Sequence, residues 1–106
     1  MTASIVYVTA PNKNEALRIA QTLVEEHLVA CVSMLPGTIS IYRWNDCIQQ
    51  SQEVSLFLKT SKDHIEAVTE RVISLHSHDC PCVVNWSITG GNRGFLDWIE
   101  TETSPK

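Results

Sequence analysis

The chain has 106 residues, 43% of them apolar and 19% charged, and twelve acidic against eight basic side chains give a formal net charge of −4. That length fits one domain, 1–106, and a chain of this size hides roughly 60–68% of its unfolded surface, enough for a core without disulfide staples. The composition excludes a disordered chain and a separate cofactor-binding domain, and the scattered cations do not form the basic patch of a nucleic-acid binder.

Ser4–Ala10 is a short β-rich run that predicts a buried strand, ended by Pro11. Asn12 offers an N-cap with Glu15 three residues on, and the apolar positions Leu17, Ala20, Leu23, Val24 and Leu28 predict an amphipathic helix from about Asn12 to His27. Val29–Leu35 reads as a second strand, and Pro36-Gly37 bends it. Thr38–Trp44 then alternates, with Ile39 and Ile41 on one face and Tyr42 and Trp44 on the other. Asn45-Asp46 supplies turn chemistry, and the alternation of Val54, Leu56 and Leu58 with Glu53, Ser55, Phe57 and Lys59 completes a long, two-faced hairpin. Ser61 is placed to cap a second helix with Ile65, Val68, Val72 and Leu75 on one face. Val83–Thr89 predicts a fourth strand. Gly90-Gly91-Asn92 then leads into a short helix carrying Phe95, Leu96, Trp98 and Ile99, and a frayed polar tail follows from Thr101 to Lys106.

Strand, helix, long hairpin, helix, strand and terminal helix is the split βαβ order of a ferredoxin-like α+β sandwich, with two helices on one face of an antiparallel sheet. The other face carries Tyr42, Trp44 and Phe57, and an apolar hairpin face of this kind calls for a homo-oligomer. No stretch approaches the ~20 apolar residues of a membrane span. The first residues lack the basic and apolar blocks of a signal peptide, so the expected compartment is the cytoplasm, with Cys31, Cys47, Cys80 and Cys82 as reduced thiols.

The densest set of metal donors is His76-Ser77-His78-Asp79-Cys80-Pro81-Cys82, where imidazole and thiolate together suit zinc or copper. The same segment also reads, more simply, as a helix C-terminus followed by a strand with small buried cysteines. Cys31 falls within a strand, as a buried thiol rather than a nucleophile. Gly90–Gly94 matches no phosphate-loop or dinucleotide fingerprint. No acid/base pair or triad stands at diagnostic spacing, so the expectation is a protein that is not an enzyme.

Taken in order, Thr9-Ala10-Pro11, Leu28-Val29-Ala30-Cys31-Val32, Pro36-Gly37, Ser40-Ile41-Tyr42-Arg43-Trp44, Glu53, Leu58-Lys59-Thr60, Gly91-Asn92 and Phe95-Leu96-Asp97-Trp98-Ile99 resemble the CutA divalent-cation-tolerance family across nearly the whole chain. The resemblance implies a ferredoxin-like subunit in a tight homotrimer similar in shape to PII signalling proteins, and a link to divalent metals and copper. It also implies intersubunit clefts lined by Trp44, Glu53, Lys59 and His76. The chain departs from the family at the proposed copper ligands, with Val8 in place of a Cys and Leu75 in place of a His, so that only His76 carries over. The replacements add donors beside it, and a relocated metal site of His76, His78, Cys80 and Cys82 is expected, holding copper or zinc. The function that follows is a trimeric metal-binding or metal-response protein. The rivals are a PII-like small-molecule or signal-binding module and a trimeric scaffold for a partner protein.

Overall fold

The computed structural model describes residues 3–104. Its elements run β1 (Ala3–Ala10), α1 (Lys13–Glu25), β2 (Cys31–Trp44), β3 (Cys47–Ser61), a 3-10 turn (Lys62–His64), α2 (Ile65–Leu75), β4 (Val83–Ser87) and α3 (Arg93–Thr103). The four strands form one antiparallel sheet in the order β2-β3-β1-β4, the ferredoxin-like α+β arrangement anticipated from the element order.

Alternation along the strands sets the core. Val6 and Val8 of β1 and Val54, Leu56 and Leu58 of β3 point to one face, where Ala16, Ile19, Ala20 and Leu23 of α1 and Val68 and Val72 of α2 cover them. The α1 stripe at 16, 19, 20 and 23 follows helical spacing, but it is not the expected one: Leu17 and Val24 are exposed, and Ile19 is buried in their place. Asn12 caps α1 as expected, its side-chain oxygen accepting the Glu15 N–H at 2.8 Å.

Other boundaries differ from the sequence reading. The second strand starts at Cys31 rather than Val29, although Val29 and Ala30 are buried. Ser61 makes no side-chain cap. Its hydroxyl bonds His64 Nδ1 at 2.9 Å and Thr103 Oγ1 at 3.0 Å, and α2 begins only at Ile65. The last helix does not fray at Thr101. It runs through Thr103, which is buried, while Ile99 packs with Ala3 and Ala30. Lys106 and Pro105, in the expected tail, lie outside the described residues.

Two features shape the far end of the sheet. Pairing of β1 with β3 stops at Ala10 and Val54, so Thr38–Trp44 and Cys47–Glu53 continue as a two-stranded arm of their own. A register shift between Leu35 and Thr38, with Gly37 at φ +82°, marks where that arm leaves the sheet. At its tip Asn45 and Asp46 both adopt positive φ, which a two-residue hairpin turn of the favoured twist requires.

Candidate functional site

The arm's alternation puts Thr38, Ser40, Tyr42 and Trp44 of β2 on one side with Glu53, Ser51, Gln49 and Cys47 of β3, each opposite its register partner. That side faces a cleft of about 750 Å³, closed at its base by Thr9 and Pro11 and on the other flank by the segment Ser77–Cys82. The strand order accounts for the meeting. The entry to β4 lies beside the end of β1, and the part of β3 that has just left β1 lies on its other side.

Of the expected cleft residues, the structure brings Trp44 and Glu53 together and adds Tyr42, Gln49 and Asp79, but it does not bring in Lys59 or His76. Lys59 is paired with Cys31 and Ile5, six residues along β3 from Glu53, or roughly 20 Å at the strand rise. Its ammonium donates to the Ser33 hydroxyl. Burial pushes the Cys31 thiol pKa up, and the same ammonium offsets that only in part, which suits a structural thiol rather than a nucleophile.

His76 also lies outside the lining of this cleft. Its side chain is 0% exposed. Nε2 lies 2.8 Å from the Thr9 carbonyl, which can only accept, so Nε2 carries the proton. Nδ1 then accepts the His78 N–H at 3.0 Å. With both ring nitrogens engaged by backbone, the imidazole has no lone pair to offer a metal, and its work is to tie the end of β1 to the turn after α2. Glu15 reinforces that turn, accepting the Ser77 N–H at 2.9 Å and the Ser77 hydroxyl at 3.0 Å. Burial pushes the Glu15 carboxyl up. The two Ser77 bonds, helped by the nearby charge of Arg18, outweigh that and hold it below its ordinary value.

The remaining donors, His78, Asp79, Cys80 and Cys82, are exposed and line the cleft together with Glu53. All four cysteines are free thiols. Among the described residues no three His, Cys, Asp or Glu side chains converge on one metal-sized point. The four donors expected to form a site are therefore not assembled as one. By donor chemistry the exposed thiol and imidazole groups fit a soft ion such as copper or zinc, whereas the buried His76 does not. Sequence spacing missed Tyr42, Gln49 and Asp79 as cleft residues. Tyr42 and Gln49 were legible in principle from hairpin pairing, since they face one another across the arm.

Fold and site together define a small ferredoxin-like α+β domain with an acid- and aromatic-lined cleft beneath a projecting hairpin arm. The chain belongs to the CutA1 divalent ion tolerance protein family, whose model matches residues 4–102. It is 41% identical over 99 residues to the divalent-cation tolerance protein CutA of Thermus thermophilus, covering 93% of this chain and 96% of that protein. It is 38% identical to the chloroplastic protein CutA of Arabidopsis thaliana, again over 93% of this chain. The chain spans about half the length of the curated plant relatives it matches, 54% for Arabidopsis and 56% for rice. Among solved structures, CutA1 from Oryza sativa superposes with a TM-score of 0.96 at 37% identity, covering 100% of this chain and 97% of that one. The Thermus thermophilus Cut A1 structure gives 0.93 at 40%, covering 96% and 99%.

Proposed function

We propose that residues 1–106 form one CutA-like domain that works as a trimeric metal-response protein, taking up copper or a similar soft divalent or monovalent ion at the cleft flank. The observation that carries this reading is that Glu53, His78, Asp79, Cys80 and Cys82 line one opening. It is supported by relatives named for divalent-cation tolerance. The segment 77–82 has no regular secondary structure, so an ion would draw its thiolate and imidazole donors together on binding. The role of His76 in this scheme is to hold that segment in place, not to ligate. A reducing cytoplasm, which keeps Cys80 and Cys82 as thiols, is the compartment we assign.

Titration of the reduced, metal-free protein with Cu⁺ and Zn²⁺ against a competing chelator tests the reading. Stoichiometric binding that is lost in Cys80→Ser/Cys82→Ser is expected. Binding that is absent from the parent, or unchanged in that variant, would remove the metal from this site.

A further inference from the structure

We propose that Cys80 and Cys82 form a reversible dithiol–disulfide couple, whose oxidation switches off the thiolate donors of the segment 77–82. Both are free thiols, and both line the same opening, so their side chains leave the backbone on one side. One residue separates them, and the described peptides are all trans. Their Cα atoms are therefore at most about 7.6 Å apart, two steps of ~3.80 Å. A disulfide needs about 4.4–6.8 Å, so closing the ring asks only for a local bend. Asp79–Cys82 has no regular secondary structure to oppose it. The ends of the segment are held independently, by the His76 and Ser77 bonds to Thr9 and Glu15 on one side and by pairing of Val83 with Val8 on the other. Pro81, with its fixed φ, resists the bend, so the ring is strained and readily reduced again. This geometry is internal to one chain, and the packing of further copies around the cleft leaves it unchanged. The other two thiols are placed elsewhere, Cys31 opposite Lys59 and Cys47 opposite Trp44 at the tip of the arm.

Glutathione disulfide supplies the oxidant. The thiolate of one cysteine attacks one of its sulfurs, the S–S bond breaks, and the departing glutathione thiolate takes up the proton that the cysteine lost. The thiolate of the second cysteine then attacks the protein sulfur of the mixed disulfide. The bond between Cys80 Sγ and Cys82 Sγ forms, and the second glutathione leaves with the second proton. The protein gives up two electrons and two protons, and glutathione disulfide becomes two molecules of glutathione. A disulfide offers a metal no thiolate, so oxidation leaves His78 and Asp79 as the segment's remaining donors. That consequence rests on the proposed metal function, whereas the couple itself does not.

The test equilibrates the intact protein, in excess EDTA, across a series of glutathione to glutathione disulfide ratios, then quenches it in acid, alkylates it and reads its mass. Cys80 and Cys82 should escape alkylation together at oxidising ratios and return when glutathione is added. Peptide mapping should place the link inside the segment 77–82. Cys80→Ser and Cys82→Ser should each stop at the glutathione adduct, whereas Cys47→Ser should close the link as the parent does. Four alkylated thiols at every ratio, a link through Cys47 or between copies, or a parent that stops at the adduct would each overturn the couple. Zinc titration of the two forms reads the switch: the oxidised protein should lose the stoichiometric binding of the reduced one, and equal binding by both would overturn it. A reduced protein that binds no zinc would instead remove the metal function and leave the EDTA result standing.

Discussion

The His76 ring donates from Nε2 to the Thr9 carbonyl across 2.8 Å, joining two points 67 residues apart in the chain. It also accepts the His78 N–H, so one imidazole satisfies backbone groups on both sides of the cleft base. Its removal leaves a cavity and a buried carbonyl without a donor. His76→Ala is expected to cost about 2–4 kcal/mol in denaturant unfolding, and His76→Gln, which keeps one amide donor, visibly less. Equal, near-zero costs for both would show that the ring carries no structural load.

Glu15 makes a pH-dependent contribution at the same turn. Its folded-state pKa lies below the ordinary 4.5. The stabilisation is therefore complete above the unfolded value and fades as pH falls through the lower folded one. The parent should lose stability from about pH 5 downward, and Glu15→Gln should flatten that part of the curve while costing about 1 kcal/mol at neutral pH. Parallel curves for parent and variant, measured by urea unfolding across pH 3–7, would contradict the assignment.

Much of this architecture was legible because strands with one buried face must alternate, and Val54, Leu56 and Leu58 do so without interruption. The α1 stripe was harder. Leu17 and Val24 sit at helical spacing from Leu23, and only the placement of the helix on the sheet selects Ile19 over them. Of the residues around the single-chain cleft, Trp44 and Glu53 stand in the family blocks, whereas Asp79 joins them only through the β3-β1-β4 order. His76 and Lys59 stand outside this single-chain cleft for opposite reasons. The His76 ring has backbone partners that no local pattern announces, and the register of β3 carries Lys59 towards the other end of the sheet.

The Asn45-Asp46 turn holds two L-residues at φ +51° and +63°. Asn tolerates that region better than Asp, and glycine occupies it without a Cβ penalty. Asp46→Gly should therefore stabilise the protein by about 1 kcal/mol, raising the melting temperature by about 4–8 °C if the arm unfolds with the rest. A melting temperature that stays put would mean that the arm opens independently of the core.

The arm's second face leads to the last prediction. Ile39 and Ile41 share it with Ile48, opposite in direction to Tyr42 and Trp44, and Ile41 and Ile48 are 67% and 65% exposed in the single chain. A lone two-stranded ribbon is marginal in water, and isoleucines at its surface gain nothing until they are covered. In the proposed trimer they pack against neighbouring copies. Light scattering should then report three chains per particle for the parent. Ile41→Glu/Ile48→Glu, which would bury unpaired like charges at that contact, should release smaller species. A parent that runs as a single chain would refute the trimer. A double variant that keeps the parent's mass would move the contact off this face of the arm.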